Sequence, residues 1–387
     1  MARKKQFEIY TFEPPDEDVC DILIIAGEHS GDEQAARMLK TAYELNPDLR
    51  ICAIGGKSLR MAGAQLLYDL TKFSVVGIVE VLKNYSNFKK LSEEVLKWIR
   101  KYKPKTVCFV DYPGFNLHIA KLLKKEGLSK KGGGDIELKY YISPQIWAWK
   151  AHRRFKMAEL LDELAVIFPF EPQCYNDTTL KTTFVGHPFV SPDFVPRVRY
   201  DEHAPLLFLP GSRKIAVQKI FPIMLKTLRK LDGENVIVPF PSRQIHDTLK
   251  QILKKFPDLQ DRVTLRKIGG GEKIGTKAVL MSSGTISLSA CLEGIPGAIV
   301  YKANPLTYII GRLLVSIKYL GISNIILDKP AWPEFIQGAA QPSKIAERLR
   351  KCINDKDTIV QTKTDAETLR NVLSAPSSTN AGEWLLS

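Results

Sequence analysis

Five short stretches of this chain pair reactive residue types with the glycines and turns that would present them. AGEHSGD, residues 26–32, closes an apolar run with Gly27 and then offers Glu28, His29, Ser30 and Asp32, so one loop carries carboxylates and backbone amides together. VDYPGFN, residues 110–116, delivers Asp111 directly after a hydrophobic run, where a carboxylate can act as a general base; the same aspartate also reads as a turn or capping residue. LPGSR, residues 209–213, sets Gly211 and Ser212 before Arg213. Backbone amides plus a guanidinium can grip a phosphate there, or the stretch is a turn with a solvated arginine. SSGT, residues 282–285, puts Ser283, Gly284 and Thr285 at a strand-to-helix turn, which fits a diphosphate at a helix terminus or an ordinary cap. WAWKAHRRFK, residues 147–156, gathers Trp147, Trp149, Lys150, His152, Arg153, Arg154 and Lys156 without an acid. That loop suits a single-stranded nucleic acid, an anionic sugar-lipid, or simply a solvated helix start. His29, on the first of these loops, and His187, on another strand-end loop, read as bases or as polar loop residues.

The elements that must position these groups follow from hydrophobic patterning. Apolar runs at residues 22–26, 50–54, 105–110, 138–142, 163–168 and 182–185 predict strands, separated by helical stretches such as 33–43 and 116–127. Residues 73–81 form another apolar run with Gly77 at its middle. Alternation resumes with strands predicted at 206–209, 235–239, 262–266, 278–281, 298–301 and 324–327. Between them, residues 188–205 are proline-rich and lose periodicity, as a linker does. The expected organisation is an extension over 1–19, a domain over 20–190, a linker over 191–204, a domain over 205–345, and a helical segment over 346–387 that can pack back on the first domain.

Composition narrows the partners. A chain of 387 residues with 44% hydrophobic content supports two cores, and its net charge of +14 favours an anionic partner. Six scattered cysteines include no C-x-x-C pair, and no histidine cluster has metal spacing, so a reduced cytoplasmic protein without a structural metal is expected. The lipophilic region 306–327 is interrupted by Arg312 and Lys318, which argues against a membrane span but leaves peripheral contact open.

Taken in order, the five stretches and the islands IGGKSLRMAGA, VVGIVEVL, YISPQIWAWK, FPFE, VGHP, VYKANPLTY, NIIL and PEFIQ resemble the lipid-A-disaccharide synthases of Gram-negative lipopolysaccharide biosynthesis, from about residue 20 to 345. The resemblance implies an α/β GT-B fold of two Rossmann-like, doubly wound domains facing across a cleft. It implies an inverting glycosyltransferase that joins UDP-2,3-diacylglucosamine to 2,3-diacylglucosamine 1-phosphate and needs neither a catalytic metal nor a cofactor. By matching positions, Asp111 would be the base, and Glu28, Ser30 and Asp32 would line the acceptor side. Gly211, Ser212, Arg213, Ser283, Gly284, Thr285 and Asn324 would bind the nucleotide. Trp147, Trp149, Lys150, Arg153 and Arg154 would meet lipid at the cytoplasmic leaflet of an anionic inner membrane, with no nucleic acid as partner and a homo-oligomer left open. Three positions depart from the family pattern: Gly114 replaces a second acid, Ser289 stands where a glutamate is usual, and His29 follows A-G-E. The competing readings are another UDP-sugar enzyme of the same fold, an epimerase or a lipid-linked N-acetylglucosaminyltransferase, and a non-catalytic membrane-surface binder.

Overall fold

The computed structural model describes residues 11–71, 85–268, 273–303, 318–374 and 380–387. The apolar run at 73–81 and residues 306–317 of the lipophilic region lie outside those residues. The chain divides into two compact units, one of Met1–Pro188 with Ala375–Ser387 and one of Phe189–Ser374.

In the first unit, β1 (Ile22–Ala26), α1 (His29–Leu45), β2 (Ile51–Gly55), α2 (Lys57–Met61), β3 (Gln65–Asp69), α3 (Tyr85–Tyr102), β4 (Thr106–Val110), α4 (Pro113–Lys125), β5 (Glu137–Tyr141), α5 (Arg153–Leu160), β6 (Glu163–Val166) and β7 (Lys181–Phe184) follow in chain order. The strands make one parallel sheet ordered β3-β2-β1-β4-β5-β6-β7. β1 and β2 are buried along their whole length, because helices cover both faces of the sheet. Alternate residues feed two cores: Leu23, Ile25, Val107 and Phe109 pack with α3 and α4, and Ile22, Ile24, Cys108 and Val110 pack with α1.

The second unit contains β8 (Val198–Tyr200), β9 (Leu206–Leu209), α6 (Lys214–Leu228), β10 (Val236–Phe240), α7 (Arg243–Leu253), β11 (Val263–Lys267), β12 (Ile274–Thr276), β13 (Val279–Met281), α8 (Thr285–Leu292), β14 (Gly297–Tyr301), α9 (Ile322–Leu327), β15 (Glu334–Ile336), α10 (Pro342–Asn354) and α11 (Lys356–Leu373). Its main sheet is ordered β11-β10-β9-β13-β14-β15, again parallel, and β8 pairs separately with β12. The proline-rich stretch read as a linker therefore contributes a short strand. Its three residues carry too little pattern to stand out between prolines.

The tail is shared between the units. Helices α10 and α11 belong to the second, whereas α12 (Ala381–Leu386) belongs to the first and packs along α1. A buried lysine anchors it: Lys139 of β5, 1% exposed, donates from Nζ to the carbonyls of Trp384 at 3.1 Å and Leu385 at 3.4 Å. A cation there satisfies helix-end carbonyls and complements the terminus of α12, while Glu163 and Glu137 lie 3.6 and 3.8 Å from the same nitrogen and balance its charge.

One expected strand is corrected. Residues 324–327 lie in the helix α9, since a four-residue apolar run carries no period that separates strand from helix.

In both sheets the strand order reverses direction at one place, between β1 and β4 in the first unit and between β9 and β13 in the second. Loops at the carboxyl ends of such strand pairs form the ligand crevice of open α/β sheets. The AGEHSGD and VDYPGFN stretches follow β1 and β4, and LPGSR and SSGT follow β9 and β13.

Candidate active site

Asp111 leaves β4 in an unusual conformation. Its φ is +47° and that of Tyr112 is +48°, two successive non-glycine residues in the left-handed region, where each costs on the order of 1–2 kcal/mol. The turn breaks the strand sharply and starts α4 at Pro113, whose missing N–H costs nothing at a helix start. It also brings the Tyr112 ring onto Gly27, where a Cβ would stand 2.1 Å from Tyr112 Cδ1, so only glycine fits at the end of β1. A Cβ on Gly31 would lie 3.8 Å from the Asp111 Cβ, so the first turn of α1 closes against the aspartate.

These contacts set the chemistry of the carboxyl. Burial, chiefly, and the negative charge of Glu28 together push Asp111 up to about 6, against the backbone hydrogen bond of Tyr112, which pulls the other way. A base titrating there is largely ionised at neutral pH and more basic than a solvated carboxylate. Glu28, the residue before α1, and Ser30, in the first turn of that helix, are exposed. The replaced second acid, Gly114, is exposed on the opening turn of α4, with open space where its Cβ would be.

Asp32 has a different task from the acceptor contact expected of it. It is 2% exposed, and its carboxylate accepts from the amides of Gly56 at 2.7 Å, Ser58 at 2.8 Å and Leu59 at 3.3 Å. An acid buried against the start of α2 satisfies orphan amides of that helix, and no oxygen is left turned toward a substrate. His187 is likewise a core residue: it is buried, its ring lies 5.4 Å from that of Phe168, and burial depresses it to about 3, so it stays neutral.

In the second unit, Gly211 takes a φ of +107° and turns the chain after β9. A Cβ there would lie 3.3 Å from Ser282 Oγ, so the two strand-end loops abut. The Ser282 amide bonds the Leu209 carbonyl at 2.8 Å and ties them together. Ser212 and Arg213 are exposed at the start of α6, and among the described residues no carboxylate pairs with the Arg213 guanidinium. Ser283 is half-buried and Gly284 exposed at the start of α8, which Thr285 opens. The Gly284 amide bonds Ser287 Oγ at 3.1 Å, and a Cβ on Gly284 would meet nothing within 4 Å, so the space before the helix is open. Two strand-end loops, an unpaired arginine and a helix N-terminus form a site suited to a phosphate-bearing ligand.

Asn324 does not share in it. The side chain is fully buried. Its Nδ2 donates to the Trp332 carbonyl at 2.8 Å and to Glu334 at 2.9 Å, and its Oδ1 accepts from the Trp332 amide at 3.0 Å. Its bonds are spent on fixing α9 to the Trp332 turn and β15. Ser289 is 5% exposed, and its Oγ has no hydrogen-bond partner among the described residues. The next acid along, Glu293, lies past the end of α8 and pairs with Arg370 of α11 at 3.1 Å. That end of the helix is the wrong one for a ligand at its start.

The tryptophan loop splits in two. Trp147 turns inward, edge-on to Phe168 at 6.2 Å and Phe170 at 5.4 Å, so it packs rather than meets lipid. Trp149 is 46% exposed, with Lys150 Nζ 4.2 Å over its ring. Arg153 is half-buried. Arg154 is spent on Asp177, with Nε 2.7 Å from Oδ1, and its guanidinium lies 4.3 Å over Phe155, which is itself 46% exposed. The outward face thus includes Trp149, Lys150, His152, Phe155 and Lys156. Phe155 escaped the sequence reading, though an aromatic between Arg154 and Lys156 was a usable signal. Among the described residues no group of three or more His, Cys, Asp or Glu side chains could hold a metal ion.

Comparison with known proteins adds the following. Residues 22–386 match the family described as lipid-A-disaccharide synthetase. A lipid-A-disaccharide synthase of Syntrophus aciditrophicus is 33% identical over 374 residues, covering 92% of this chain and 94% of that one. Lipid-A-disaccharide synthase 1 of Legionella pneumophila is 34% identical over 350 residues, covering 86% of this chain and 88% of the relative. Among solved structures, the UDP co-structure of S. aureus MnaA superposes with a TM-score of 0.57 at 12% identity, covering 95% of each chain. A spinosyn rhamnosyltransferase with thymidine diphosphate gives 0.51 at 11% identity, covering 94% of this chain and 98% of that one. At those identities the likeness is one of fold, two Rossmann-like units.

Proposed function

The chain belongs to the lipid-A-disaccharide synthase family, and from that membership we propose that it joins UDP-2,3-diacylglucosamine to 2,3-diacylglucosamine 1-phosphate, giving the β-1,6-linked disaccharide 1-phosphate and UDP. The acceptor is assigned to the loops after β1 and β4, the donor to those after β9 and β13. Asp111 takes the proton of the acceptor 6-hydroxyl as that oxygen attacks C1 of the donor sugar on the face opposite UDP, which inverts the anomeric centre. The C1–O bond to the diphosphate breaks, and Arg213 with the first amides of α8 stabilises the charge that leaves on UDP. Glu28 and Ser30 line the acceptor loop.

The observation that carries this reading is the environment of Asp111: a carboxyl pushed up to about 6 at the strand-order reversal of its sheet, beside the family's first loop. Purified protein incubated with both lipid substrates is expected to release UDP and disaccharide 1-phosphate in equal amounts. UDP-N-acetylglucosamine epimerisation without disaccharide would replace the reading with that of an epimerase. Binding of both lipids without product would make the protein a binder.

Peripheral association with an anionic bilayer follows from the same reading, since both substrates are acylated. It is supported by the net charge of +14 and by the exposed Trp149, Lys150, Phe155 and Lys156. Among the described residues no helix is long and apolar enough to cross a membrane. Flotation with vesicles containing an anionic phospholipid is expected to weaken several-fold between low and 0.5 M salt, and Lys150→Glu to weaken it further at low salt. Salt-independent flotation would rule out the electrostatic part.

A further inference from the structure

Two buried side chains outside the reacting groups converge on Asp111, and we propose that Tyr140 and Asn116 are positioning residues that hold its carboxylate in the reactive direction. The inference rests on Asp111 as the base. The phenol of Tyr140 donates to the Asp111 carbonyl at 2.6 Å, and Asn116 Nδ2 donates to the same oxygen at 2.7 Å. A carbonyl oxygen has two lone pairs, and here both are occupied. The carbonyl so held belongs to a residue with positive φ, a conformation an aspartate abandons unless its surroundings fix it. Its amide is fixed as well, donating to the Tyr141 carbonyl at 3.0 Å. With both peptide groups pinned, the direction of the Cα–Cβ bond is determined, and with it the small set of rotamer directions open to the carboxylate.

Asn116 does more than grip one residue. The same Nδ2 lies 3.2 Å from the Val110 carbonyl and 3.3 Å from that of Ile25, the ends of β4 and β1. One amide group thus ties the strand that carries Asp111 to the strand that carries the Glu28 loop. Both side chains are fully buried, so neither touches a substrate. Phenylalanine would fill the place of Tyr140 against Phe109, whose ring is 6.2 Å away, equally well; what the hydroxyl adds is its bond to Asp111.

The test is Tyr140→Phe, which removes that bond and keeps the ring. A misdirected base costs turnover rather than binding, so kcat is expected to fall about 10- to 100-fold while KM for both substrates stays within about twofold. Asn116→Ala removes the second donor and is expected to show the same split between kcat and KM; it serves as the reading if Tyr140→Phe fails to fold. Tyr175→Phe is the control, because its buried phenol bonds Ser143 at 2.6 Å: stability should drop and kcat per folded molecule stay. Wild-type kcat in folded Tyr140→Phe, or equal kcat losses in Tyr140→Phe and Tyr175→Phe, overturns the proposal. If Asp111→Asn is inactive and Tyr140→Phe fully active, this inference fails alone; if Asp111→Asn retains turnover, the assignment of the base fails first.

Discussion

Asp111→Asn is expected to lose about 100- to 10,000-fold in kcat and, at pH 8, to melt at a higher temperature than the parent. The two effects share a cause. The folded protein raises the Asp111 pKa to about 6, chiefly by burying it, so the fold favours the protonated carboxyl and is opposed by the ionised one. Stability from that group is fully present below the ordinary carboxylate range and is lost as pH rises through about 6. Above that, the buried charge costs on the order of 3 kcal/mol, which asparagine removes because it carries no charge at any pH. The gain in melting temperature is therefore expected at pH 8 and absent near pH 4, where the parent carboxyl is already neutral. Activity of the parent runs the other way: a general base must be ionised, so kcat/KM falls as pH drops through about 6. Glu28→Gln removes the second cause of the upward shift and moves that acid limb to lower pH. Calorimetry at the two pH values and a pH–rate profile check these statements. Equal stability differences at pH 4 and pH 8, or an acid limb near 4 in the parent, would refute the electrostatic account.

The same residue shows how far the sequence was legible. That Asp111 ends a strand followed from the hydrophobic run before it; that its loop adjoins the AGEHSGD loop came only with the strand order, which sets β4 beside β1. The left-handed turn did not follow, because Asp111 and Tyr112 are not residue types that ask for positive φ. The partners that hold it come from the neighbouring strand, in Tyr140, and from α4, in Asn116. Pairings across strands have no local signature. Asp32 and Asn324 show a related effect. Each occupies a position that motif order assigns to a ligand, yet backbone groups of α2 and of the Trp332 turn claim their oxygens, and that competition appears only with the chain folded. The tryptophan loop was half readable: composition put aromatics and cations together, but the inward turn of Trp147 depends on Phe168 and Phe170, which are distant in sequence.

Arg213→Ala is expected to lose about 100- to 1,000-fold in kcat, roughly 3 kcal/mol of stabilisation of the departing diphosphate, and also to weaken inhibition by UDP about tenfold. A guanidinium contact to a diphosphate strengthens as the C1–O bond breaks and charge gathers on the leaving oxygen, which puts most of the loss in kcat. The additional loss of UDP affinity comes from a feature of this chain. Where related sequences place a glutamate after S-G-T, residue 289 is a buried serine, and Glu293 is engaged with Arg370. The family resemblance puts that carboxylate at the ribose; without it phosphate contacts are expected to carry a larger share of the grip, and Arg213 is exposed at that loop beside Lys214. Arg213→Lys keeps the charge but not the bidentate fork, so it should recover part of kcat and little of the UDP affinity. Ser289→Glu should tighten UDP binding in the parent if the new carboxylate reaches the ribose hydroxyls. Steady-state kinetics with the donor varied, together with UDP product inhibition, measure all three variants. If Arg213→Ala kept the parental kcat/KM and UDP inhibition, the diphosphate would have to be held elsewhere and the loops after β9 and β13 would lose their assigned role.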